Sequence, residues 1–183
     1  MLIVGFELLP PQNIIVRRSI MLKQEYPFFI SVFKDKDRFL INPFLVTTGE
    51  FKSNSPWIKI IDNNEPDIAV KLGQCIIEAA QYIKNSPVLD IKATEDLIGE
   101  FIHWKKENKY RSWNEFDKKN VHTHISLRED GSYEIYSMKR IKGNNGYNGS
   151  IKAFDYKIYA SAEEIGLAII DVTAAAEEFY KKK

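Results

Sequence analysis

The sequence predicts an α+β fold in which two antiparallel β-sheets, related by an internal pseudo-repeat, carry packed helices. Three observations predict it. Short runs rich in Ile, Val and Phe, bounded by polar clusters, recur in both halves of the chain. Each set of runs leads into a stretch with helical apolar periodicity. A shift of about 93 residues aligns the two halves without a gap over roughly 60 positions.

In chain order, Met1–Phe6 is apolar, but no basic residue precedes it and Glu7 interrupts it. A signal peptide needs a charged start and a longer apolar core, so this segment is read as a buried strand. Strands are expected at Asn13–Ile20, Pro27–Phe33, Arg38–Val46 and Trp57–Ile61. The turn Asn63-Asn64-Glu65-Pro66 opens a helix over Pro66–Lys84, since proline fits the first helical turn. Ile68, Leu72, Cys75, Ile76, Ala79 and Ile83 fall on one face of it. The lone Cys75 is therefore read as a packing residue. No neighbour in sequence lowers its pKa, and a single thiol excludes an internal disulfide and fits a reducing cytoplasm.

Thr94–Lys106 reads as a helix linking the halves, with acids at its start and lysines at its end. Ser112 and Glu115 have capping-box spacing and predict a short helix over Trp113–Lys118. Strands follow at Val121–Arg128, Ser132–Met138 and Ile151–Ile158, with a hairpin turn at Asp130-Gly131. Ser161 and Glu164 cap the last helix, Ala162–Lys181, whose stripe is Ile165, Ala168, Ile169, Val172, Ala176 and Phe179.

The halves, about 18–84 and 111–181, are read as parts of a single domain spanning 1–183. The offset lays Leu72-Gly73 on Ile165-Gly166 and Ile58-Lys59 on Ile151-Lys152. A glycine inside a helix costs about 1 kcal/mol relative to alanine. Two glycines at equivalent helical positions therefore predict that an adjacent strand or helix passes close by.

The formal net charge of +1 provides no global field for nucleic acid or membrane, and no stretch approaches a membrane span. His122-Thr123-His124 places two imidazoles on one strand face, which begins a metal site only if a third ligand joins them. The favoured reading is an exposed or partner-facing strand with no metal and no cofactor. Acids such as Asp117, Glu129 and Asp171 have no spacing that demands acid–base chemistry. Nucleophile elbow, Walker loop and Rossmann triplet are all lacking. The segment Lys142–Gly149 is rich in Gly and Asn but no helix follows it at once, so it reads as a hairpin loop suited to contacting a partner. Basic–aromatic runs at Trp104–Lys106 and Lys109–Trp113 suit single-stranded nucleic acid, but interleaved Glu107, Glu115 and Asp117 weaken them.

Arg111-Ser112-Trp113-Asn114-Glu115-Phe116, the strand near Val121–Leu127, the Gly-rich segment through Gly149 and Ser161-Ala162-Glu163-Glu164-Ile165-Gly166-Leu167-Ala168 together form a pattern. It resembles the immunity proteins of bacterial contact-dependent growth inhibition (CDI) systems, and is most similar to the group paired with ribonuclease toxin domains. The resemblance covers about the last 70 residues. It implies a cytoplasmic protein without enzymatic activity that binds a cognate toxin C-terminal domain and blocks its active site or substrate access. It also implies a Whirly-like fold, in which a sheet-plus-helix unit occurs twice. The alternative is a single-stranded nucleic-acid-binding module. The expected partner surface is the polar side of the second-half sheet with its loop: His122, His124, Arg128, Lys139, Arg140, Asn144, Asn145 and Tyr147. The apolar helix stripes are consumed by the core, whereas these types make specific contacts without a large apolar patch.

Overall fold

The computed structural model describes residues 28–47, 52–55, 57–89, 110–140 and 147–182. The strands expected at Met1–Phe6 and Asn13–Ile20, and the helix at Thr94–Lys106, lie outside the described residues.

Seven strands and three helices make up the described fold: β1 (Phe28–Lys34), β2 (Arg38–Val46), β3 (Lys52–Asn54), β4 (Lys59–Asp62), α1 (Ile68–Asn85), α2 (Trp113–Lys119), β5 (Val121–Leu127), β6 (Tyr133–Arg140), β7 (Tyr147–Lys157) and α3 (Ala162–Lys181). All of the strands join one antiparallel sheet in the order β3-β2-β1-β5-β6-β7, and β4 pairs with β2 as well. The expectation of two sheets is thus corrected. Each half would leave one long edge of unpaired N–H and C=O groups. Here β1 and β5 satisfy each other across that edge, from Phe28↔Leu127 to Lys34↔Val121.

The offset of 93 runs through this geometry. It carries Phe28–Lys34 onto Val121–Leu127, so β1 falls on β5 end to end. The register pairs Ser31 with His124, which are themselves 93 positions apart, so the centre of the β1–β5 ladder joins equivalent residues. The helices repeat the pattern. A Cβ on Gly73 would sit 1.7 Å from the carbonyl oxygen of Ala162, and one on Gly166 would sit 1.8 Å from that of Ala69. Gly73 corresponds to Gly166 and Ala69 to Ala162. The close passage that the two glycines predict is therefore helix on helix, with backbone against backbone.

Both helices present their stripes to one face of the sheet. Leu72, Ile76, Ala79 and Ile83 of α1 and Ile165, Ala168, Ile169, Val172 and Ala176 of α3 are buried there. They meet Ile30, Val32, Ile41, Ile125, Leu127 and Ile135 in one core. Full burial of an aliphatic side chain contributes about 1.5–3 kcal/mol, so this layer dominates stability. Cys75 packs half-buried against the same core. Burial, then Glu78, raises its thiol pKa, which keeps it protonated.

Local signals set the helix ends. Ser112 Oγ accepts from the Glu115 N–H at 3.1 Å, and Ser161 Oγ from the Glu164 N–H at 3.2 Å. The two glutamates reach back to the backbone N–H groups of Arg111 and Ala160. The β5–β6 turn uses Gly131 at φ 84, a conformation open to glycine. β7 begins at Tyr147, so Tyr147 and Gly149 belong to a strand and not to the expected loop. Its partner β6 extends to Arg140, and the register Arg140↔Tyr147 prolongs the ladder.

Candidate functional site: a buried histidine face and a basic pocket

Alternation along β5 decides which face each candidate takes. Val121, Thr123, Ile125 and Leu127 are buried, and Thr123 Oγ1 lies 3.0 Å from Thr173 Oγ1 of α3. His122 and His124 take the opposite face. There the first half has its own cover: Phe33, Leu40, Tyr110 and Phe116 form a second apolar cluster, which fastens α2 to the sheet. Phe33 and Phe116 meet edge to face with centroids 4.9 Å apart.

His122 is expected on an exposed strand face, but it is only 9% exposed. The reason is packing from three directions. Phe33 stacks on the imidazole at 4.4 Å, Tyr147 meets it edge-on at 4.7 Å, and Ser31 Oγ lies 2.9 Å from Nε2. Nδ1 is buried with no hydrogen-bond partner among the described residues. Burial, with a smaller contribution from His124, lowers the His122 pKa to about 3, so the ring is neutral at physiological pH. A buried neutral imidazole packed among rings is a core element.

The remaining candidates divide by position. His124 is half-buried between Phe29 and Tyr136, with ring centroids at 4.6 and 5.2 Å. Tyr147 donates its hydroxyl to Asp117 Oδ1 at 3.0 Å, and burial followed by that carboxylate raises its pKa. His122, His124 and Tyr147 thus form one cluster. Arg128 lies at the other end of β5, exposed, its guanidinium 3.6 Å from the centre of the Tyr156 ring. Lys139 is exposed and sits over Phe179 of α3 at 5.9 Å. Asn144 and Asn145 lie outside the described residues. Among the described candidates, Arg128 and Lys139 thus lie apart from the histidine cluster.

Arg140, the ladder partner of Tyr147, also lines a second feature. An open pocket of ≈ 670 Å³ lies where the C-terminal ends of β1, β6, α2 and α3 meet. Its lining carries six cations, Lys34, Lys36, Lys118, Lys119, Arg140 and Lys181, against two carboxylates, Asp35 and Glu177. Arg140 is held in place: Nη2 donates to the Asn120 carbonyl at 3.1 Å, the guanidinium lies 4.7 Å from the Tyr180 ring centre, and the Arg140 N–H donates to the Tyr180 hydroxyl at 2.6 Å. Its Nε is buried without a hydrogen-bond partner among the described residues. No sequence motif marks this pocket. Its cations come from five places in the chain, and the only local signal was the pair of lysine-rich helix ends, which the helix dipole already explains.

No group of three or more His, Cys, Asp or Glu able to hold a metal ion occurs among the described residues. Nor is any described helix long and apolar enough to cross a membrane.

No family model matches the chain. No curated protein matches it either. Among solved structures it is similar in fold to a chain of the CdiA-CT/CdiI toxin and immunity complex from Yersinia pseudotuberculosis, with a TM-score of 0.63 and 12% identity, covering 82% of this chain and 97% of that one. It is also similar to a protein of unknown function, NMB0488, from Neisseria meningitidis, with a TM-score of 0.59 and 14% identity, covering 82% of this chain and 96% of that one. At these identities the likeness is one of fold.

Proposed function

We propose that this protein is an immunity protein that binds a cognate toxin domain and neutralises it by covering its active site or its substrate path. The observation that carries the reading is the fold likeness to a chain of a toxin–immunity complex, which extends over nearly the whole of that chain. The resemblance of the last 70 or so residues to CDI immunity proteins supports it from sequence, and covers α2, β5 and α3. The neutral, ring-packed state of His122 fits a binder better than a catalyst, because a general base needs a pKa near the working pH and access to substrate.

The finer parts of the reading are a contact-dependent system, a ribonuclease toxin, action in the cytoplasm, one domain over 1–183, and a duplicated, Whirly-like architecture. The exchange of Gly73–Ala162 for Gly166–Ala69 under the offset supports the duplication. The toxin is sought in the C-terminal domain of a large secreted protein encoded beside this chain. The test is co-expression of that domain with and without this protein. Growth restored only when the protein is present, together with a stable complex on gel filtration, is the expected result. Continued toxicity despite soluble protein overturns the reading.

A further inference from the structure

The basic pocket concentrates charge that the chain as a whole does not have, since the net formal charge is only +1. Its two carboxylates are already matched. Glu177 pairs with Lys34, while Asp35 accepts from Arg38 Nε at 3.0 Å and the Tyr110 hydroxyl at 3.1 Å. Lys36, Lys118 and Lys181 are exposed and make no ion pair among the described residues. Helix-end complementarity accounts for Lys118 and Lys181. It does not account for Lys36, which lies in the β1–β2 turn, or for Arg140 at the end of β6, whose Nε has no hydrogen-bond partner among the described residues.

We propose that this pocket receives an acidic segment of the protein partner, seating one or two carboxylate side chains between Arg140 and the lysines at positions 36, 118 and 181. This rests on the immunity reading and names the surface on which the toxin docks. Two features favour a protein over a nucleic acid. Among the described residues these cations line one open concavity, whereas a strand of nucleic acid needs a groove that follows its backbone. Asp35 and Glu177 stand within the ring, which opposes a run of phosphates but complements a partner surface of mixed charge. Glu177 also holds the Lys34 ammonium in place at the wall of the pocket. Although burial opposes it, the Asp37 N–H, Arg38 and Tyr110 keep the Asp35 carboxyl below its ordinary range, so it remains a fixed negative group at the rim.

The test is the triple variant Lys36→Glu/Lys118→Glu/Lys181→Glu. All three side chains are exposed, so the variant should fold, with a small loss of thermal stability because two of the glutamates sit in the last turn of a helix. Two probes are used at low salt: a hexaglutamate peptide and the toxin domain encoded beside this chain. The parent is expected to bind hexaglutamate measurably, and the variant at least tenfold more weakly. The variant should also lose at least tenfold in toxin affinity, mostly through slower association. Equal hexaglutamate binding by parent and variant, or none by the parent, overturns the pocket proposal. So does tighter binding of a hexauridylate RNA than of hexaglutamate at matched ionic strength. Toxin binding that is unchanged in the variant overturns the docking surface but leaves the immunity reading intact. Toxin that neither protein binds overturns that reading, while the hexaglutamate comparison still decides the pocket.

Discussion

On the helix-bearing face of the sheet, positions 93 apart do the same work: Gly73 meets Ala162 and Gly166 meets Ala69. On the opposite face they do not. There the offset pairs Phe29 with His122, Ser31 with His124 and Phe33 with Ser126. The difference follows from what each face packs against. Where helix backbones touch, there is no room for a Cβ, and neither half can change without forcing the helices apart. Where side chains touch side chains, one half can trade a ring for a hydroxyl if another element fills the space. Phe33 has Phe116 of α2 to pack on, and Ser126 does not.

The largest expected effect tests the constrained face. Each added methyl at Gly73 and Gly166 overlaps a carbonyl oxygen, so each belongs at the upper end of the ~1–3 kcal/mol overpacking range. Gly73→Ala/Gly166→Ala together should cost more than either alone but less than their sum, because both methyls force apart the same helix crossing; the loss is on the order of 5 kcal/mol, enough to threaten a typical domain. Urea unfolding of the two single variants should give equal losses. A glycine that tolerates alanine while the other does not would break the equivalence.

Next comes the divergent face. Phe33→Ala should cost about 3–5 kcal/mol, and Ser126→Ala, at the equivalent position, only about 1 kcal/mol. Phe33 is 7% exposed and Ser126 2% exposed, so burial alone does not separate them. Similar losses in denaturant midpoints would show that α2 contributes less than its ring contacts indicate.

A pH effect of intermediate size follows from His122. Its folded pKa is about 3 against 6.5 when unfolded, so between these values the unfolded chain binds the extra proton. Stability is fully present above pH 6.5 and falls as the pH drops towards 3. Between pH 7 and pH 5 the loss should be about 2 kcal/mol. His122→Phe installs the residue found at the equivalent position 29, and should remove that part of the slope. A slope that survives in the variant assigns it to other groups.

The smallest effects compare the two N-caps. Ser161→Ala and Ser112→Ala each remove one hydrogen bond to a helix N–H and should each cost about 1 kcal/mol in thermal unfolding. A clearly larger loss at Ser112 would mean that the short α2 depends on its cap more than on Phe116.

Much of the fold was legible because its causes are local. A cap and its glutamate are three residues apart, an apolar stripe repeats every turn, and Asp130-Gly131 marks its own hairpin. Even the helix contact left a trace in sequence, since two interior glycines at one spacing call for a close neighbour. The identity of that neighbour was not legible, nor was the union of the two half-sheets, because no local pattern says which edge strand meets which. Alternation put His122 and His124 on the polar side of β5 correctly, but burial depends on what lies across the sheet. Phe33 and Ser31 come from β1 and Tyr147 from β7, and only their convergence on β5 turns a surface imidazole into a core one. The basic pocket has the same character. Each lysine alone reads as a solvated side chain or a helix end, and charges from β1, the turn after it, α2, β6 and α3 become one site only when the sheet brings their ends together. Elements, caps and helix stripes rest on neighbours within a turn or a hairpin, so they can be read residue by residue along the chain. The single sheet, the buried histidine and the basic pocket each need groups far apart in the chain, so they arise with folding alone.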